Sequence, residues 1–280
     1  SRPSELTRAL REALASIADR TGSGAAVATS STSVSSDSAI YQAQFNSSDW
    51  SGDLRRVQLD DSGSAVVTVG ATDWAAASVL DGQDWDNGRE IITRNTDTGN
   101  AIAFRWNELS AAQQDALNDD PTTTAADDDG KGAKRLRFLR GQRSNEQPGG
   151  TLRARGGVLG DIINSSPVRV GAPSATYPDD WGSGAPENGT PYSAFQDNRS
   201  SREPLVYVGA NDGLVHGFNA TGGANGGKER IAYAPGATFA KLNELTDPDY
   251  KHRYFADASL NYADAFFNKG GANEWRSVLA

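Results

Sequence analysis

The chain has no cysteine, no methionine and only two histidines in 280 residues. Without cysteine there is no disulfide, no thiolate metal site and no cysteine nucleophile. His216 and His252 are the whole imidazole supply, and no Gly-x-Ser-x-Gly turn accompanies them. A serine triad and a histidine-rich metal centre therefore lack their parts, and each histidine is read as a structural hydrogen-bonding side chain. The missing Met, at position 1 as elsewhere, leads to the expectation of a fragment or processed product. No apolar run approaches the ~18 residues of a membrane span. Thirty-six carboxylates against 27 bases leave a net charge of −9, with no basic block to mark a nucleic-acid footprint.

What is present is glycine (30 residues), with abundant Ser and Thr, the composition of many short strands joined by turns. Leu6, Leu10, Ala13, Leu14 and Ile17 recur at helical spacing, so residues 4–20 are expected to form an amphipathic helix capped by Ser4. Residues 21–37 read as a linker or extended edge segment. The period then becomes two. Tyr41, Ala43 and Phe45 alternate with Gln42 and Gln44, and Val57 and Leu59 with Arg56 and Gln58, predicting a half-buried hairpin. EIITRNTDTGNAIAFRW predicts a second hairpin, and NELSAAQQDAL a short helix capped by Ser110. PTTTAADDDGKGAK, residues 121–134, reads as a mobile insertion.

Further on, PLVYVGA, LVHGFNA, ERIAYAPG, RYFADA, NYADAFF and WRSVLA are candidate strands at the spacing of a sandwich or propeller. Asn211-Asp212-Gly213 is the tight turn between the first two. Asp127, Asp128 and Asp129, and the carboxylates of DGQDWDNGRE, miss the alternation and closing Glu of a calcium loop and read as solvated loops. GQRSNEQPGGTLRARGG follows no strand-to-helix phosphate pattern. Six scattered tryptophans read as packing anchors, with Trp181 the one candidate for a binding aromatic.

GDIINSSPVRVG, LVYVGANDGLVHGFNA, HRYFADASLNYADAFF and EWRSVLA resemble, in that order, the opening blades of the C-terminal β-propeller in the PilC/PilY family. These are type IV pilus tip-associated adhesins and biogenesis factors. The resemblance runs through Gly160, Asp161, Asn164, Ser165 and Pro167. It continues with Tyr207 to Gly213, His216, Phe218, Lys228 and Glu229, then His252 to Phe255, Asp257, Asp264 to Phe266, Trp275 and Arg276. Gly217 stands where the family usually has Ala, and Ala258 where it has Gly. YQAQFNSSDWSGDL is similar to the region that joins the family's von Willebrand A-like domain to its propeller.

The resemblance implies a mainly β fold: an antiparallel β-rich linking domain followed by the first blades of a β-propeller, with an N-terminal amphipathic helix. It divides the chain into the end of an A-like domain (1–20), a linker (21–37), a β-rich interdomain region (38–155) and an incomplete propeller (156–280). It implies a non-enzymatic pilus-tip protein, exported through the periplasm to the outer cell surface, that supports assembly, limits retraction and mediates adhesion. The implied partners are minor pilins, a host or abiotic surface, and the remaining polypeptide that closes the propeller. The family's calcium loop and metal-adhesion motif are absent, so no cofactor falls on this segment, although calcium belongs to the longer family members. Contacts are expected on the loops 121–134 and 173–202, with Trp181, Tyr192 and Phe195 as contact residues. Two alternatives stand beside this reading. One is a quinoprotein dehydrogenase-like propeller, suggested by the cadence around Gly227-Lys228-Glu229; the other is a carbohydrate-binding module.

Overall fold

A computed structural model of the chain describes residues 27–29, 39–60, 68–123 and 127–280. The expected helix at 4–20 lies outside them. Strand β1 (Val27–Thr29) is a short edge strand on β2 (Ala39–Asn46), the extended alternative for that stretch. β2 forms the expected hairpin with β3 (Ser51–Asp60), and β4 (Thr68–Ala75) completes a four-stranded antiparallel sheet in chain order. β3 is half-buried much as its alternation predicts, with Val57 and Leu59 inside and Gln58 out, but β2 is not. Gln42 and Gln44 are buried along with Tyr41 and Ala43, because β2 lies inside the sheet and both its faces are covered.

The second sheet holds β7 (Val168–Val170), β8 (Leu205–Gly209), β9 (Val215–Asn219) and β10 (Glu229–Ala234) as an antiparallel meander, the shape of a single propeller blade. Its outer edge is extended by the second expected hairpin, β5 (Ile91–Arg94) and β6 (Ala101–Ala103). β5 runs parallel to β10, with Ala232 opposite Ile91 and Ala234 opposite Thr93. Main-chain hydrogen bonds thus cross the division drawn at residue 155. A separate two-stranded sheet follows, β11 (Tyr262–Lys269) and β12 (Ala272–Leu279), paired over their full lengths.

RYFADA is not a strand. Its main chain is held by side chains instead: Phe255 N donates to Asn211 Oδ1 at 2.9 Å, and Asp257 accepts the Ile163 and Asn164 amides. Helix α1 (Ala76–Asp81) follows β4. Helix α2 (Ala111–Asn118) starts at Ser110 as expected, with a reciprocal capping box to Gln113.

The insertion at 121–134 is tied down over much of its length. Gly132–Leu139 form helix α3, whose first amide donates to Asn118 Oδ1 at 2.8 Å. Asp129 is not solvated: Arg135 grips it through two bonds of 2.6 and 2.7 Å. Burial would raise its pKa, but the hydrogen bonds of Arg135 and Lys131 outweigh that and hold it at about 2.

Two apolar clusters weld the molecule. One joins Tyr41, Leu54, Trp74 and Leu80 to Leu159, Ile162, Val206, Val208 and Phe218. The other joins Ile91, Phe104, Leu117 and Phe138 to Leu214, Ala232, Phe239 and Leu242. Each draws on both sides of residue 155. Gly217 is explained here too. It faces Tyr207 across the ladder, and a Cβ would lie 2.7 Å from the Tyr207 ring and 3.0 Å from Ile231.

Candidate functional site

The Asn211-Asp212-Gly213 turn does more than reverse the chain. Gly213 takes φ +92°, where a side chain is strained and would also run into Leu242. This aims Asp212 back at its own strand pair, where it accepts the Gly160 amide at 2.9 Å and the Leu214 amide at 3.1 Å. His216 on β9 is fully buried, with Nε2 3.1 Å from Asp212 and Nδ1 2.7 Å from Glu229 on β10. Glu229 also accepts a two-pronged contact from Arg89, with Nε at 2.6 Å and Nη2 at 2.7 Å. Both ring nitrogens of His216 face carboxylates, so both donate and the ring is an imidazolium. Two cations and two anions balance inside the core.

The protonation states follow from that balance. Burial alone would lower the His216 pKa, but Asp212 and Glu229 outweigh it and lift it to about 9. Burial would raise Glu229, but Arg89 and His216 hold it at about 2. An imidazolium with both N–H groups committed has no lone pair to act as a general base.

Asp161 begins a second strand of the same network. It accepts Asn211 Nδ2 at 2.7 Å and His252 Nε2 at 2.8 Å, and burial raises its pKa. His252 stacks on Trp50 with ring centres 3.7 Å apart. Trp50 has φ +57°, an uncommon backbone for a residue with a side chain, at the end of the β2–β3 turn. The motif residues Gly160, Asp161, Asn211, Asp212, His216, Glu229 and His252 therefore form one contiguous structural lattice. Among the described residues, no cluster of three carboxylate or imidazole side chains is arranged to hold a metal ion.

The outward-facing chemistry lies on the segment 173–202, which is not the structureless loop its composition predicts. It contains a 3-10 turn at Pro186–Gly189 and helix α4 (Tyr192–Asn198). It is fastened to β11 and β12 by Asp264, a buried carboxylate. Tyr192 Oη donates to Asp264 at 2.6 Å, Ser277 Oγ at 2.6 Å and Tyr262 Oη at 3.0 Å. Trp275 on β12 donates its indole N–H to Thr190 O at 2.9 Å.

Of the three expected contact residues, only Trp181 stands out in solvent, 41 % exposed. Tyr192 is 1 % exposed, so it is an anchor and not a contact. Its hydroxyl turns inward because burying Asp264 without donors would be costly. Phe195 is half-buried, 5.8 Å from the Tyr192 ring.

Tyr177 joins Trp181 at the surface, 38 % exposed, although sequence reasoning had not singled it out. The available signal was the spacing Tyr-Pro-Asp-Asp-Trp, two aromatics four residues apart around two carboxylates. Tyr177 stacks on Trp275 at 4.9 Å and lies 6.3 Å from Trp181. Trp181 N donates to Asn188 Oδ1 at 2.8 Å, and Asn188 Nδ2 donates to Gly182 O at 2.7 Å, which closes the tip on itself. The result is a pair of exposed rings on a braced support.

Residues 159–276 match the PilY1 beta-propeller domain family. The chain is 41 % identical over 244 residues, 85 % of its length, to the type IV pilus biogenesis factor PilY1 of Pseudomonas aeruginosa strain PAK. It is 34 % identical over 267 residues, 94 % of its length, to a PilY1 homolog of Xylella fastidiosa strain Temecula1. The chain spans about a fifth of the length of these relatives (20 % and 19 %). No solved structure matches it.

Proposed function

The chain belongs, through residues 159–276, to the PilY1 β-propeller family, and from that premise we propose that it is a non-catalytic platform within a longer type IV pilus protein. In this reading the platform works on the outer cell surface at the pilus tip. It supports assembly beside the minor pilins, restrains retraction and touches host or abiotic surfaces. The rest of the same polypeptide supplies the remaining blades, and calcium, where it acts, acts through that remainder.

The observation that carries the contact role is the aromatic tip: Tyr177 and Trp181, held out by a segment whose base is locked to β11 and β12 through Asp264. Rigid scaffolds commonly place recognition on such loops. The non-catalytic reading is supported by His216, whose two nitrogens are both engaged, and by the lattice that takes up Gly160, Asp161, Asn211, Asp212, Glu229 and His252.

The test is deletion of residues 178–189 in the full-length protein, with surface piliation and attachment both measured. The expected result is normal piliation with attachment reduced several-fold. Attachment equal to that of the intact protein would sink the contact role.

A further inference from the structure

We propose that the tip of the 173–202 segment docks a cationic protein partner, one that presents Lys or Arg side chains to Tyr177 and Trp181. This deepens the contact reading and rests on it.

Residues 171–198 contain no Lys or Arg, yet carry Asp179, Asp180, Glu187 and Asp197. Among the described residues none of the first three is ion-paired; Asp179 is held by Ser193 and the Tyr192 amide, and Asp180 accepts the Gly182 amide. Asp179 and Asp180 lie between the two exposed aromatics in the chain, and Glu187 adjoins Asn188, which holds the Trp181 amide. The ring faces carry negative electrostatic potential, and a cation over such a face is attracted. The bases at the foot of the segment are engaged within the fold: Arg202 donates to Gly171 O, Ser277 Oγ and Tyr262 Oη, and Arg276 is paired with Glu274.

The rings are also preorganised. Trp275 supports Tyr177 from below, and the Asn188 bonds hold the Trp181 backbone, so a partner meets little ordering cost. A neutral sugar would stack on the same rings and offer its hydroxyls to the carboxylates, but it would leave their negative charge uncompensated. An anionic lipid or nucleic acid would be repelled by them.

The experiment titrates the full-length protein with a tetra-arginine peptide and with its uncharged tetra-citrulline counterpart, by calorimetry at low and at physiological salt. The expected result is that tetra-arginine binds about tenfold or more tightly than tetra-citrulline and weakens with salt. Trp181→Ala is expected to weaken the arginine peptide about tenfold while leaving the melting temperature unchanged. Asp180→Asn with Glu187→Gln is expected to flatten the salt dependence.

Equal affinity for the two peptides, or no effect of Trp181→Ala, overturns the proposal. Salt-independent binding of a neutral oligosaccharide that Trp181→Ala abolishes, with no arginine binding, overturns it in favour of a glycan. Attachment lost in Trp181→Ala cells without arginine binding sinks this inference alone. Arginine binding at Trp181 with attachment unaffected sinks the surface-contact role alone.

Discussion

Glu229 shows how much one residue decides here. It closes the charge balance between Arg89 and His216, and its main chain is clasped by Gln83, which accepts from the Glu229 amide at 2.9 Å. Glu229→Gln would leave Arg89 without its ion-pair partner and His216 with a single carboxylate, Asp212. An uncompensated buried charge costs about 3–5 kcal/mol, so a large loss of stability is expected. The pH dependence gives a sharper readout. His216 has a folded pKa of about 9, above its ordinary 6.5. Its stabilisation is therefore complete below about 6.5 and lost as pH rises through 9. Thermal melting between pH 6 and 10 should show that decline in the parent protein. In Glu229→Gln the decline should begin at lower pH, since one of the carboxylates that raise His216 is gone. Parallel curves would refute the paired-imidazolium assignment. His216 was readable in the sequence as structural; its partners were not. Glu229 and Arg89 lie 13 and 127 positions away, and only the β9–β10 register and the entry of β5 bring them to the ring.

At the scale of elements, local signals were read well. Period-two alternation locates β2, β3, β5 and β6, strand spacing with turn signals locates β8 to β12, and Ser110 marks the start of α2. The failures have a common cause. RYFADA has strand composition, but its Phe255 amide is taken by Asn211 and its own Asp257 binds residues 163 and 164, so no ladder forms. The segment 173–202 has loop composition, but Asp264 and Trp275 hold it in a defined shape. Competition from distant side chains leaves no trace in a local window. The β5–β10 junction is the element-level claim most open to test. Three facing pairs and the Thr93 hydroxyl, which donates to Ala234 O at 2.8 Å, join them. Native-state hydrogen exchange should place the β5 amides in one cooperative unit with β8 to β10. Exchange of β5 at the rate of exposed loops would show that the hairpin is only loosely attached.

At the scale of the molecule, the division at residue 155 is a boundary of resemblance more than of packing. Both apolar clusters, the charged lattice and one sheet straddle it. The polypeptide 156–280 expressed alone would lose the partners of Val206, Phe218, Leu214 and Ala232 and leave Glu229 without Arg89. It is expected to show no cooperative melting transition, whereas the whole chain melts in one step, as followed by circular dichroism. A sharp transition in the isolated piece would establish an independent core. The β11–β12 hairpin is a two-stranded sheet, which gains little stability without further layers. The aromatic segment packed over Trp275 supplies one such layer.

The sequence by itself determined the strand class, the turn at Gly213, the helix start at Ser110 and the family, because period, backbone tolerance and ordered motifs are all local properties. Only the tertiary structure decided that β5 joins the blade, that His216 is a clamped cation, and that Tyr192 faces inward while Tyr177 faces out. Those outcomes depend on which distant groups share a buried space. The cost of leaving a charge or hydroxyl unpartnered there selects one arrangement.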